Sequence, residues 1–485
     1  MMPILWVTLW TDRLVFLLLA AIALFVWYVR RHEHLLTPWR KVARDKIGMS
    51  ALVVLALFVL VGILDSLHYR ARLDARGTDG QAQYAVEVLS AFDALVMPLR
   101  TRNEKTYSAP FATHAYAKET IDQGDGRQTR DFPRLKFGGA HLQNPDTDWT
   151  ADVLMRVLRA AGMALVIWVG VTLLIAAWLA RRWKCELTHA LSDISHGRCE
   201  LPWRAVLLTL AMLLMAIIPL ASLSSVYHVF GTDKVGQDVL YNVLKSIRTG
   251  LVIGTLTTLV MLPFALLLGC LAGYFRGWVD DAIQYLYTTL NSIPGVLLIA
   301  AAVLLTQVWM DNHPDYFPTA VQRADVRLLF LCLILGITSW TGLCRLLRGE
   351  ALKLRELEYI QAAQAFGVSG WRIILRHILP NVMHIVLIAT VMDFSGLVLA
   401  EAVLSYVGVG VDPSMISFGT MINNARLEMA REPMVWWSLA AAFVFMFTLV
   451  LSANLFADAV RDAFDPRLSS GWAKRRVSLK GLVRG

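Results

Sequence analysis

Residues 358–381 read EYIQAAQAFGVSGWRIILRHILPN, a semi-polar stretch set between two strongly apolar runs. Its pattern is helix, glycine, helix. Ala362, Ala363 and Ala365 give the first helix a face of small residues, and Gly367 suits the left-handed conformation that ends a helix. Ser369 is placed to N-cap the second helix. Arg372 and Arg376, four apart, share one of its faces. Pro380 is expected to close it, because the residue before a proline avoids the helical region. A segment that only joined two spans would need no such specification.

The surroundings explain where this stretch sits. Of 485 residues, 56% are hydrophobic and 17% charged, and the mean hydropathy is +0.53. Those values exclude an ordinary soluble globular chain. A helix needs about 20 apolar residues to cross a bilayer. Runs of that order lie near 14–29, 47–64, 153–180, 204–226, 250–273, 284–308, 328–347, 381–405 and 436–457. The first is short and preceded by Asp12 and Arg13. A signal peptide is the alternative there, but the arginines follow the run and no small-residue cleavage site is evident.

The formal charge of +9 need not imply nucleic acid, since membrane chains keep arginine and lysine in their cytoplasmic loops. Arg30, Arg31, Arg40, Lys41, Arg44 and Lys46, then Arg181, Arg182 and Lys184, then the quoted stretch, then Lys474, Arg475 and Arg476 all fall on one side. The opposite segments, 68–150, 309–327 and 406–435, are balanced or slightly acidic. The expected topology is N-terminus outside, C-terminus cytoplasmic, and residues 358–381 cytoplasmic. Cys185 and Cys199 lie in an expected cytoplasmic loop without zinc-site spacing, and Cys270, Cys332 and Cys344 lie in spans, so no disulfide framework is implied.

Residues 68–150 form the one large polar segment. The reading is an extracytoplasmic insertion packed on the mouth of the membrane domain, with an independent binding domain as the alternative. Within it, YAVEVLSAFDALVMPL (84–99) has the periodicity of an amphipathic helix. TDWTADVLMRVLRAAGMALVI from Thr147 echoes TDKVGQDVLYNVLKSIRTGLVI from Thr232, and PWRKV at Pro38 echoes PWRAV at Pro202. Duplication and chance likeness of Leu/Val-rich sequence both account for this.

No phosphate-binding loop, H-E-x-x-H, G-x-S-x-G or metal-spaced Cys/His cluster occurs. No catalytic residue, metal site or cofactor is therefore expected in the chain itself. His228, His377 and His384 are scattered and read as packed or interfacial side chains.

A membrane protein without its own nucleotide site can be driven by a soluble ATPase gripping a cytoplasmic helix. The opening stretch resembles the EAA loop of ABC importer permeases: Gln361-Ala362-Ala363, Gly367 and Leu379-Pro380 match, with Gln361 for the glutamate and His377 for an isoleucine. FGTDKVGQDVLYNVLKSIRTGL (230–251), LNSIPGVLLIA (290–300), LAEAVLSYVGVGVDPSMISFGTMI (399–422) and DAVRDAFDPRL (458–468) resemble, in order, landmarks of the oligopeptide/dipeptide/nickel class. WRKVARDKIGMSALVVLALFVLVGI (39–63) resembles that class's first span.

The resemblance implies an all-α polytopic membrane protein with a type I importer permease core. The expected divisions are 1–67 (N-terminal spans), 68–150 (insertion), 151–229 (an additional helix pair), 230–468 (permease domain with coupling loop 345–380) and 469–485 (basic tail). Residues 1–200 lie largely outside the resemblance, and the inserted spans at 153–226 are a departure from it. Coupling to an ATPase falls to Gln361, Ala362, Ala363, Gly367, Arg372, Arg376, Leu379 and Pro380. The implied partners are a second permease, two ATPase subunits that bind ATP and Mg, an extracytoplasmic solute-binding protein, membrane lipid and a peptide or peptide-like solute, in a bacterial inner membrane.

Asp233, Gly236, Asp238, Pro294, Asp393 and Glu401 are candidates for the pathway or its framework. Asp393 and Glu401 would line a path for a cationic peptide terminus, or be paired within the bundle and at its interface. Pro294 either starts or kinks a span. Gly250-x-x-x-Gly254 and Gly269-x-x-x-Gly273 point to close helix packing. Two other classes stay open. A stand-alone secondary transporter would need a dense set of intramembrane ionisable groups, and a sensor or assembly protein would use residues 68–150 as its binding part.

Overall fold

The computed structural model describes residues 4–76, 82–122, 128–317 and 319–464. The basic tail with Lys474, Arg475 and Arg476, and the last residues of the 458–468 motif, lie outside the described residues. Among the described residues, nine helices are long and apolar enough to cross a membrane: Trp10–Arg30, Lys46–Asp65, Pro145–Trp183, Trp203–Ser224, Val239–Phe275, Gly295–Asn312, Ala320–Arg355, Gly370–Tyr406 and Trp437–Phe464. Each overlaps one of the nine apolar runs.

The sixth differs from expectation. The run at 284–308 is broken at Ile293, which is extended at φ −90° and ψ 131°, between helices Gly277–Ser292 and Gly295–Asn312. Pro294 is the cause: it keeps its predecessor out of the helical region and then N-caps the second helix. Pro294 thus starts a span rather than kinking one.

Two compact units divide the chain. The first comprises Met1–Val7, Arg40–Thr249 and Ile416–Phe456. Here the Pro145–Trp183 helix packs along Trp203–Ser224, which in turn packs on Lys46–Asp65. The 68–144 segment is not helical throughout. Ile4–Trp6 pairs antiparallel with His68–Arg76, bringing Ile4 opposite Ala71 and Trp6 opposite Tyr69. His68–Arg76 also pairs with Ala82–Tyr84 and Leu89–Ser90, and Glu119–Asp122 forms a hairpin with Gln128–Asp131.

The amphipathic helix expected over 84–99 is a correction. Leu89 and Ser90 are taken into the sheet, and the helix starts only at Ala91. Ser90 Oγ accepts from Asp93 N at 3.0 Å while the Asp93 carboxylate accepts from Ser90 N at 2.9 Å. That reciprocal cap sets the start. A break at Val96 then separates Ala91–Leu95 from Met97–Thr101.

The second unit comprises Thr8–Trp39, Gly250–Met415 and Ala457–Gly485 as far as described. Its core runs through Met261, Ala265, Trp340, Leu343, Leu347 and Val382, with a second cluster around Ile253, Leu328, Leu331 and Leu335. Small residues allow the backbones to touch. A Cβ on Gly269 would lie 2.8 Å from Leu347 Cβ, and one on Gly273 would lie 2.5 Å from Ala351 Cβ. The Trp10–Arg30 helix is held through its N-terminus. The Asp325 carboxylate accepts from Trp10 N at 2.8 Å and Thr11 N at 3.2 Å, satisfying amides that have no partner inside the helix.

Candidate functional site

The stretch at 358–381 folds as helix, turn, helix, and its turn is a complete Schellman motif. Helix Glu358–Ala365 ends where Gly367 takes φ +75°. Gly367 N donates to Gln364 O at 2.9 Å and Val368 N donates to Ala363 O at 3.1 Å, the two bonds that define this cap. Ala363 and Val368 both pack against the core cluster below. Nothing lies within 4 Å of a Cβ built on Gly367, so its requirement for glycine is conformational and not spatial.

Below the turn, Ser369 occupies the N-cap position with an extended backbone, but its side chain makes no capping hydrogen bond. Helix Gly370–Ile373 continues through a π-turn at Ile374–Ile378 into Leu379–Tyr406. Pro380 therefore does not close the helix as expected. Proline lacks an N–H and crowds the carbonyl four residues back. The widened turn gives that space, and Leu379 N reaches Ile374 O instead.

Ile360, Ile373, Ile374 and Ile378 are at most 5% exposed and anchor the two helices to the cluster formed with Tyr274, Leu347 and Ala351. Each contributes roughly 1.5–3 kcal/mol of burial. Gly370 sits where a Cβ would come within 2.8 Å of the Tyr274 ring. Nearby, Arg348 makes two parallel hydrogen bonds to Asp280 at 2.5 and 2.7 Å, and Arg276 pairs with Glu356.

The outward surface contains Gln361, Ala362, Ala365, Arg372 and Arg376, all exposed. Ala363 faces inward. Phe366, immediately before the cap glycine, is 87% exposed, and Trp371 and Leu375 are 53% and 61% exposed. Sequence reasoning weighted the arginines and alanines and passed over these three. The available signal was their position, since a ladder of buried isoleucines leaves the intervening apolar residues facing outward.

The 230–238 motif is a tight loop in the first unit. Asp233 Oδ1 accepts from Val235 N and Gln237 N, both at 2.9 Å, and Asp233 Oδ2 accepts from Asn242 Nδ2 at 3.0 Å. Gly236 has φ +79°, and a Cβ there would lie 1.9 Å from Glu104 O, so only glycine fits. Buried Asp238 caps the following helix through Leu240 N at 2.8 Å and accepts from His228 Nδ1 at 2.8 Å.

His228 Nε2 lies 3.4 Å from Glu104 Oε1, and Glu104 also accepts from the backbone amides of Lys136, Phe137 and Gly138. Burial would lower the His228 pKa. The hydrogen bonds to Asp238 and Glu104 override it and raise the pKa to about 9, so the ring is an imidazolium donating from both nitrogens. Burial would raise the Glu104 pKa, but the His228 and amide donors bring it down to about 2. His228, read from sequence as one of several scattered histidines, is instead the centre of a buried ionic triad. It ties the 68–144 segment to the turn before Val239–Phe275.

The model of the binding-protein-dependent transport system inner membrane component matches residues 265–470. A glutathione transport system permease protein of Pectobacterium atrosepticum is 34% identical over 245 residues, 50% of this chain and 74% of that one. An oligopeptide transport system permease protein of Mycobacterium tuberculosis is 33% identical over 239 residues, 49% of this chain and 76% of that one. The chain belongs to this permease family.

An inward-facing structure of the MetNI methionine ABC transporter overlaps 47% of this chain and 96% of that one, with a TM-score of 0.34 and 18% identity, too slight an overlap to bear on the fold. As a permease, the chain is a multi-pass inner-membrane protein, and its core is the all-α type I importer domain expected from sequence, here joined to the small sheets of the 68–144 segment. In the permease, Glu401 is buried and accepts from Ser405 Oγ at 2.6 Å, while Asp393 is half-buried in the same helix. Cys270, Cys332 and Cys344 are buried, and all five cysteines are free thiols.

Proposed function

We propose that this permease forms, with a homologous second permease, the pathway of an ATP-driven importer for peptides or peptide-like solutes. Within the coupling loop 345–380, residues 358–380 form its coupling surface, and separate cytoplasmic subunits bind ATP and Mg. The observation that carries the reading is the Schellman-locked turn, rooted in the core by four isoleucines and presenting Phe366, Trp371, Arg372 and Arg376 outward. A surface so rigidly held transmits a push from a docked ATPase into the Gly370–Tyr406 span, which is continuous with it. The solute class follows the names of the relatives, which are glutathione and oligopeptide permeases. A binding protein on the outer face delivers the solute.

The test is reconstitution. The purified chain alone should hydrolyse no ATP above background. Phe366→Ser should leave its abundance unchanged, because that side chain is 87% exposed, yet it should reduce ATPase co-purification. ATP hydrolysis by the uncontaminated chain, or undisturbed ATPase association in Phe366→Ser, would count against the proposal.

The pairing of Ile4–Trp6 with His68–Arg76 supports the proposed topology. Two spanning helices lie between those strands, an even number, so both strands belong on one face of the membrane. The arginine distribution makes that face the outer one. With the native cysteines replaced, a cysteine at exposed Gln143 should react with an impermeant thiol reagent added outside intact cells, while one at exposed Ser369 should not. The reverse pattern would invert the topology and remove the coupling surface from the cytoplasm.

A further inference from the structure

The helix Leu379–Tyr406 carries two carboxylates in contrasting settings. Glu401 is 1% exposed and satisfied one turn away by Ser405. Asp393, near the middle of the helix, is half-buried and makes no hydrogen bond or ion pair with the described residues. At about 100° per residue, Val382, Val386, Leu397, Glu401 and Leu404 form the buried stripe of this helix. Met392, Gly396, Leu399, Val403 and Tyr406 form an exposed one. Asp393 lies about 60° from Gly396, on the near margin of the buried stripe between Val382 and Val386, and is only half-buried there. A Cβ on Gly396, one turn away, would meet no atom within 4 Å, so the helix surface over Gly396 is open.

A carboxylate at this depth is expensive against lipid, and such groups face a water-filled path or an opposite charge. Isolation also separates Asp393 from the ion pairs that merely hold this chain together, such as Arg348–Asp280. We infer that the exposed stripe of this helix lines the solute path and that Asp393 receives the ammonium group of an entering cation, the free amino terminus of a peptide or peptide-like solute. The inference rests on the reading of the chain as an import permease of the peptide class. With no side chain at Gly396, the solute backbone has room one turn from that charge.

The experiment uses the whole transporter in proteoliposomes, with trialanine and N-acetyl-trialanine as probes. Asp393→Asn should lower trialanine uptake by roughly tenfold or more, the scale of one charge-assisted hydrogen bond, while N-acetyl-trialanine uptake and co-purification of the second permease stay unchanged. Asp393→Glu should restore much of the trialanine uptake. Equal trialanine uptake in wild type and Asp393→Asn overturns the inference. So does an equal loss of both peptides, and so does loss of the second permease from the complex, which would make Asp393 a subunit contact. If the wild type carries neither peptide, the peptide reading itself falls and this inference falls with it.

Discussion

Gly367→Val is expected to reduce transport by roughly tenfold or more while leaving membrane insertion and abundance near normal, the population change that about 1.4 kcal/mol produces. The reasoning is local. Gly367 sits at φ +75°, where an L-residue with a Cβ is strained by about 1–2 kcal/mol and a β-branched one by more. No neighbour lies within 4 Å of the added Cβ, so no clash forces the core apart. The strain instead shifts the balance between the Schellman turn and splayed alternatives, moving Phe366 and the Glu358–Ala365 helix relative to Arg372. Gly367→Asn supplies the control, since asparagine tolerates the left-handed region. It should retain most transport. Measuring solute uptake and ATPase co-purification at matched expression decides the matter: full transport by the valine variant would mean that the turn only connects two helices.

His228→Leu is expected to cost about 3–5 kcal/mol, the scale of breaking a buried ion pair by removing one partner. Leucine occupies similar space, so the loss is electrostatic. Glu104 and Asp238, both nearly fully buried, would be left without their shared cation. The effect should appear as faster amide hydrogen exchange over residues 104–142 and a lower melting temperature in detergent.

The triad also sets a pH dependence. The His228 pKa is raised from 6.5 to about 9, so its contribution is complete below pH 6.5 and is lost as pH rises through about 9. The Glu104 pKa is lowered from 4.5 to about 2, so its contribution is complete above pH 4.5 and is lost as pH falls through about 2. Both are fully present between pH 4.5 and 6.5. Protection of the 104–142 amides in the wild type should weaken between pH 6.5 and 9.5, and in His228→Leu that histidine-linked slope should vanish. A wild-type profile flat over that interval would show that His228 is not the imidazolium described.

What the sequence determined by itself was whatever consecutive residues encode. Nine apolar runs correspond to nine helices among the described residues because crossing a bilayer is a requirement on length and composition alone. Gly367 was readable as a helix cap because the left-handed requirement acts on a single residue. Gly269 and Gly273 signalled close helix packing because small residues at that spacing clear one face.

Tertiary structure decided what depends on residues far apart in the chain. His228 meets Glu104 across 124 positions, and Asp325 caps a helix 315 residues earlier. No local pattern announces either pairing. The periodicity over 84–99 suggested one helix, but a strand partner at His68–Arg76 offered Leu89 and Ser90 a competing set of backbone hydrogen bonds. Pro380 looked like a terminator because the rule assumes an α-helix, whereas anchoring of the isoleucines on both sides holds the chain in a wider π-turn that accommodates the ring. The exposure of Phe366 and the isolation of Asp393 were likewise invisible in sequence. Whether a side chain finds a partner depends on which helices surround it, and packing settles that after the local choices are made.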